Sequence, residues 1–390
     1  MPGQHALLSA SAASRWLACP PSARLCAKLE GIFGEQSSPY AAEGTKAHSL
    51  AELKLRHAIG EINDFSFKEQ VKALGEISRQ MERATNQYMD IVLGKLYAAQ
   101  AIDPAAKLLL EQRLDFSPWV PSGFGTGDAI IVSTHTLEVI DYKNGTGVAV
   151  SAVNNPQARL YGLGAYNAFG VIYEFTHVRM TIVQPNIDSV TEETMTTDEL
   201  LEWGESIKPT AELAWYGKGE FNPSDKACRF CRARALCAAR AAAAMRGFTS
   251  GFATPGLIDD SEIPGILEVA DIAEAWIKDV RAYARNQAIQ GHQWPGYKLV
   301  RGRKGNRVWT DEEAVMEQLT RAGLSEEQYL NRELRAPGDI EKEMGKQAFD
   351  AIVKRYITQP EGALNLVPED DKRVEYSSAD ATFADMATNE

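Results

Sequence analysis

The chain has 390 residues, of which 44% are hydrophobic and 24% charged, and its 41 Lys and Arg against 53 Asp and Glu give a formal charge of -12. These proportions exclude wholesale disorder and, at about 100 to 200 residues per domain, indicate two or three domains. The acidic balance argues against a protein that coats polyanions indiscriminately, since most of the surface repels phosphate, yet a narrow basic track is enough to guide a strand into an enzyme. No apolar run reaches the roughly 18 to 20 residues of a membrane span. The opening MPGQHALLSASAASRWLACPPSARL lacks a basic start followed by an unbroken apolar core, so a cytoplasmic location is expected.

In chain order, residues 68 to 100 carry Val71, Leu74, Ile77, Met81, Ala84, Tyr88 and Ile91 at steps of three and four, the stripe of one long amphipathic helix. The period changes at Lys107. KLLLEQRLDF, DAIIVS, TLEVIDY and VRMTIVQP are short, rich in β-branched residues and bounded by breakers, which predicts strands of one central sheet. Between the third and fourth lies PQARLYGLGAYNAFG, a helix with proline in its first turn. Strand, strand, strand, helix, strand is an α/β order with a crossover.

Thr196 and Glu199 form a capping box ahead of LLEWGESIKPTAELAWYG, a cysteine-bearing segment follows Pro223, and AARAAAAMRGF reads as helical. GFATPGLIDDSEIPG reads as a linker and places a boundary near residue 250. Beyond it, Ile266, Val269, Ile272, Trp276, Val280 and Tyr283 mark another helix. A hairpin, YKLVRGRKGNRVW, then concentrates Lys298, Arg301, Arg303, Lys304 and Arg307 without an acid, and Thr310 with Glu313 caps a further helix. The expected organisation is a domain over 1–250, a smaller, mainly helical region with the basic hairpin over 251–367, and a loose acidic tail over 368–390.

The stretch GTGDAIIVSTHTLEVIDYKNGTG carries the most chemistry. Asp128 opens one predicted strand. Asp141 and Lys143 end the next and share a face, because strand side chains alternate with period two. Adjacent antiparallel strands bring these three together. Carboxylate oxygens suit Mg²⁺ or Mn²⁺, the Tyr142 carbonyl offers a further oxygen, and the lysine can orient water and offset charge on phosphorus. An isolated D-x-K is commonly a surface salt bridge; its company gives it weight. Gln157 and Tyr161, in the order Q-x-x-x-Y, fall on one helical face, and GTKAH places His48 near the start of a predicted helix, with Glu52 one turn on.

Together, His48, the Gly125-to-Asp128 G-x-x-D, Asp141-x-Lys143 and Gln157-x-x-x-Tyr161 resemble the RecB-type branch of the PD-(D/E)XK nucleases. The resemblance implies a restriction-endonuclease-like fold, with a central mixed β-sheet flanked by helices. It implies His48, Asp128 and Asp141 as metal ligands, Lys143 as the residue that activates water, and Gln157 and Tyr161 as supports facing DNA. Glu111, in the preceding strand, is a weaker candidate for a metal-binding or supporting role.

Cys228, Cys231 and Cys237 form C-x2-C-x5-C, with Cys19 far upstream. Four thiolates accept either Zn²⁺ or a [4Fe-4S] cluster. One isolated N-terminal cysteine with a C-terminal triplet resembles the iron-sulfur staple of RecB-type nucleases such as the AddB subunit and the CRISPR-associated exonucleases. A structural role follows, since such a group would close a long loop of chain. Cys26, the fifth cysteine, is either a buried thiol or a replacement for Cys19. Arg229, Arg232, Arg234 and Arg240 surround the triplet and are candidates for a phosphate-binding edge.

The C-terminal part, with GYKLVRGRKGNRVW and PEGALNLVPEDDKR, is similar to a phage-encoded family of RecB-type proteins found beside single-strand annealing or binding proteins. That similarity implies a metal-dependent DNA exonuclease, resecting ends for recombination with such a partner. No phosphate loop of the G-x-x-x-x-G-K-S/T type is present, so the chain carries no ATP motor of that kind. The alternatives are a catalytically silent DNA-binding scaffold subunit of a recombination or helicase complex, and a zinc-stabilised interaction protein. The basic hairpin, through Arg301, Arg303 and Lys304, is the candidate for guiding DNA.

Overall fold

The computed structural model describes residues 6–33, 39–249 and 263–298, with positions 261, 300, 316, 321, 341 and 345–347. The chain divides into two compact units, Met1–Val300 and Arg301–Glu390. The basic hairpin's Arg301, Arg303 and Lys304, the Thr310 and Glu313 cap expected after it and the acidic tail lie outside the described residues.

In the first unit the helices are α1 (Ala13–Ala18), α2 (Ser22–Phe33), α3 (Pro39–Ala58), α4 (Asp64–Ala73) and α5 (Arg79–Ile102). The strands β1 (Lys107–Asp115), β2 (Phe124–Val132) and β3 (Thr136–Tyr142) follow, then helix α6 (Pro156–Phe169) and strands β4 (His177–Gln184) and β5 (Ser189–Thr196). Helices α7 (Thr197–Tyr216), α8 (Asp225–Cys228), α9 (Ala238–Thr249) and α10 (Ile263–Ile289) complete it. The five strands lie side by side in sequence order. The β1–β2, β2–β3 and β4–β5 pairs are antiparallel, while β3 and β4 are parallel across the α6 crossover. The sheet is therefore mixed, as expected.

The two faces of the sheet bury different sets of side chains. Ile130, Val132, Leu137, Val139 and Val178 pack with Leu160 and Leu163 of α6, Leu200 and Ile207 of α7, and Trp16 of α1. On the other face, Ala129, Ile131, Ile140 and Tyr142 pack with Leu50 and Leu55 of α3 and with Tyr88 and Val92 of α5. Period-two alternation gives every central strand two buried faces, so the result is a helix–sheet–helix sandwich.

Three local features depart from the sequence expectations. The helix expected over 68–100 is two helices. Gly75 adopts the left-handed conformation (φ 75°), which other residues adopt at a cost, and Ser78 caps α5 by accepting the Met81 N–H at 3.2 Å. Strand β2 begins at Phe124, four residues before Asp128, because β1 keeps pairing with it down to Asp115 opposite Phe124. Strand β5, SVTEETMT, carries almost no large apolar residues; it is an edge strand held by its ladder to β4.

Candidate functional site

The site forms where β2 and β3 fork. Their ladder runs from Val132 opposite Leu137 to Ala129 opposite Ile140, and the next position in that register sets Asp128 against Asp141. There a side chain takes over from the ladder: Asp128 Oδ2 accepts the Tyr142 backbone N–H at 2.8 Å. Strand β3 stays anchored to β4 through this region, with Tyr142 paired to Val183 and the Lys143 N–H donating to the Val183 carbonyl at 2.9 Å. Asp141 and Lys143 therefore project from a fixed backbone into an opening between two strands.

Helix α6 approaches the fork from one face. Asn155 caps it, accepting from Gln157 N at 3.0 Å and Ala158 N at 3.3 Å, and Pro156 occupies its first turn. Gln157 bridges the pair: its Oε1 accepts from Lys143 Nζ at 3.2 Å, and its Nε2 donates to Asp141 Oδ1 at 3.3 Å and to the Tyr161 hydroxyl at 3.4 Å. The Tyr161 ring lies so close to β2 that a Cβ on Gly125 would meet Tyr161 Cε1 at 2.7 Å. The glycine of G-x-x-D thus makes room for the tyrosine of Q-x-x-x-Y.

Helix α3 approaches from the opposite face. His48 stands in the middle of this helix rather than near its start, because α3 begins at Pro39. Its Nδ1 lies 3.3 Å from Asp128 Oδ1, and its ring meets Tyr142 edge-on at 5.2 Å. The Tyr142 side chain is itself buried against Tyr88, so only the backbone of Tyr142 is available to the opening.

The electrostatics follow from carboxylates taken out of water. Burial raises the Asp141 carboxyl above its ordinary range; Lys143 opposes that rise and Asp128 adds to it. Burial works against the Lys143 ammonium, but the Asp141 and Asp128 carboxylates outweigh it and hold the group above its usual value. His48 is raised in the same way, the Asp128 contact overcoming the loss of solvent. Glu111 is pushed up to about 7 by burial, then by the charges of Asp128 and Glu52. Its backbone is unusual, with φ at 50°, and no ladder pair forms there. The distortion turns β1 over: Leu108 and Leu110 face the α3 and α5 core, whereas Leu114 faces the α6 core. Sequence reasoning had no signal for this kink, since glutamate is an ordinary strand residue.

The donor set suits a hard divalent cation. Lys143 Nζ stands 2.9 Å from Asp141 Oδ2, off the hydrogen-bonding direction, which leaves that buried oxygen without an aligned donor. Among the described residues no three His, Cys, Asp or Glu side chains gather as a ready-made metal cage. Mg²⁺ does not require one, because it is commonly held by one or two carboxylates, with water and phosphate completing its shell. Asp128 and Asp141 meet that requirement.

The cysteines collect at a second place. Cys19, Cys228, Cys231 and Cys237 line one cavity of about 20 Å³, with Arg234 at its wall. These four, too, are not gathered as a ready-made metal cage, although thiols are the ligand type that a thiophilic metal takes. Cys26 lies beside this set: its Sγ is 3.7 Å from that of Cys231 and receives the Arg15 Nη1 donor at 3.3 Å. The Cys231 thiol at its side lowers the Cys26 thiol below its ordinary range, against the effect of burial. Three of the four arginines expected to form a phosphate-binding edge are already paired. Arg232 pairs with Glu30 at 2.9 Å, while Arg234 and Arg240 reach the two oxygens of Asp279 at 2.9 and 2.5 Å.

Fold and site together define an α/β protein with a carboxylate–lysine cluster set in a fork of its mixed sheet. The chain belongs to the family described as protein of unknown function (DUF2800), whose model matches residues 5–374. It is also similar to a solved structure titled "Crystal structure of SSO0001", at 13% identity over 50% of this chain and 85% of that one, with a TM-score of 0.22. A likeness of that size supports no statement about activity.

Proposed function

We propose that the chain is a divalent-metal-dependent deoxyribonuclease of the RecB-type PD-(D/E)XK kind, acting on DNA ends. The observation that carries this reading is the Gln157 amide joined to both Lys143 and Asp141 at the mouth of the β2–β3 fork, with Asp128 beside them. Asp128 and Asp141, with His48 and the Tyr142 carbonyl, would hold Mg²⁺ or Mn²⁺, which supplies Lewis-acid polarisation of the phosphodiester and makes water more acidic. The chain's own residues do the rest. Lys143, cationic in its buried setting, directs the attacking water and offsets charge that develops on the phosphate. Gln157 fixes the direction of the ammonium, and Tyr161 fixes Gln157. Resection of ends for a single-strand annealing or binding partner is the expected use.

Cys19, Cys228, Cys231 and Cys237 are proposed as a structural metal centre. The C-x2-C-x5-C spacing with a distant fourth cysteine resembles that of [4Fe-4S] staples, and a single structural Zn²⁺ is the alternative. Colour separates them, because zinc thiolates are colourless and iron-sulfur clusters absorb visible light.

The test is cleavage of linear DNA labelled at either end, single- or double-stranded, with Mg²⁺ or Mn²⁺. The parent is expected to release label only with metal. Lys143→Ala is expected to lose at least about 100-fold in rate while keeping its fold, the order of magnitude associated with one electrostatic or proton-transfer group. Equal cutting by Lys143→Ala would sink the assignment. No cutting by an intact, metal-supplied parent would favour the silent scaffold reading.

A further inference from the structure

Strands β1 and β2 stay paired beyond the end of the β2–β3 ladder, and this extension has two unlike faces. Leu114 packs into the α6 core, and a Cβ on Gly125 would meet Tyr161 of α6. By the period of two, Arg113 of β1 with Phe124 and Thr126 of β2 project from the other face, the one from which His48 reaches Asp128. The kink at Glu111 produces this placement, because a strand that kept its parity from Leu110 would turn Arg113 toward α6. Arg113 and Thr126 are exposed, and Phe124 is half-buried. The Arg113 guanidinium stands 4.0 Å over the centre of the Phe124 ring, and the register sets Arg113 opposite Thr126, two positions from Asp128. Two strand positions are about 7 Å, the span of one or two nucleotides. Neighbouring cations are already answered by acids: Lys143 by Asp141, and Arg56 of α3 by Glu52 and Glu61. Arg113 makes no ion pair among the described residues, and Asp115, the acid on its face of β1, accepts the Ser117 N–H at 2.8 Å.

We infer that Arg113 contacts DNA, taking a backbone phosphate next to the one that enters the fork, and that Phe124 positions it. The assignment rests on the nuclease function proposed for the fork. A guanidinium offers its N–H donors in a planar array that matches phosphate oxygens. The ring beneath Arg113 limits the freedom that the side chain would otherwise lose on binding, so its donors are held ready at the surface. Charge supplies the need for such a residue. Asp128 and Asp141 repel a polyanion wherever a bound cation does not offset them, and a cation fixed to one side of the fork draws the strand in. Contact of this kind is made through the backbone and favours no base sequence.

The test measures binding of end-labelled linear DNA by the full-length protein in Mg²⁺ over a series of salt concentrations. Binding is read in a Lys143→Ala background, so that the DNA stays whole, and kcat and KM are read with Lys143 in place. Arg113→Ala should bind about tenfold more weakly, the order of one charged contact. Its plot of log affinity against log salt should be shallower by about 1, with an unchanged melting curve and a KM raised more than kcat is lowered. Arg113→Lys should keep the parent's slope, and Phe124→Leu should keep the slope while losing part of the affinity. Parent-like affinity and slope in Arg113→Ala would overturn the inference, as would weaker binding at the parent's slope, the mark of a purely structural role. Whether the parent cuts tests the nuclease assignment separately. An Arg113-dependent slope in a chain that never cuts would uphold the DNA contact and point to a scaffold, whereas a parent that cuts and is indifferent to Arg113 would remove the contact alone.

Discussion

Asp128 has two tasks at the fork, and they can be separated. Its Oδ2 replaces a ladder acceptor for the Tyr142 N–H, while its charge helps to raise the Asp141 carboxyl beside it and, with that of Asp141, would hold the proposed divalent cation. Asp128→Ala strands the N–H and should cost about 1–3 kcal/mol in metal-free urea unfolding. Asp128→Asn keeps an acceptor and should stay within about 1 kcal/mol of the parent, the ordinary scale of a single neutral hydrogen bond. Only the parent should then gain melting temperature when Mn²⁺ is added, since a ligand that binds the folded state alone stabilises it. An Asn variant as weak as the Ala variant would mean that the carboxylate's charge, rather than its acceptor, holds the fork together. At this scale much was legible: the parity of Asp141 and Lys143 and the turn between Gln157 and Tyr161 follow from strand and helix periods. Glu111's left-handed backbone and Cys26's proximity to Cys231 were not, because both depend on contacts between distant parts of the chain.

Among elements, α6 is the one whose start matters most, since Gln157 lies within its first turn. Asn155 satisfies two of the helix's free N–H groups there. Asn155→Ala is expected to lose about 1 kcal/mol of stability and to slow cleavage although no proposed catalytic group has been removed, whereas Asn155→Asp should restore both. Circular-dichroism melts alongside the cleavage assay would read the two effects; unchanged cleavage in Asn155→Ala would show that Gln157 needs no cap to hold its place. The strands from β1 to β4 and the α6 crossover were readable from β-branched runs and a proline-led helix. Strand β5 escaped because its alternating Thr, Glu and Ser place no apolar face on either side. The division between α4 and α5 escaped because the apolar stripe continues across Gly75.

For the whole first unit, the sheet supports the site while the cysteine segment ties distant stretches of chain together. Asp279 of α10 receives Arg234 and Arg240, so residues beyond the expected boundary near 250 are joined to the cysteines before it. Arg240 is almost fully buried, and Asp279→Ala would leave its charge without that partner. A loss of up to about 3 kcal/mol in unfolding free energy is expected, with DNA cleavage at the fork retained. A melting curve identical to the parent's would mean that the two arginines find other partners without cost. No sequence pattern announced this link, because opposite charges about forty positions apart carry no period.

The register of β3 also makes the chain unequally tolerant of changes in length. The strand is counted from its β4 ladder, Thr136 opposite His177 through Tyr142 opposite Val183. Deleting one residue inside it, with that ladder otherwise preserved, would bring alternate side chains to the opposite face of the sheet, exchanging the surroundings of Asp141 with those of Tyr142. Substitutions at the fork therefore act by degrees, whereas a single-codon deletion in this short strand would remove the arrangement in one step.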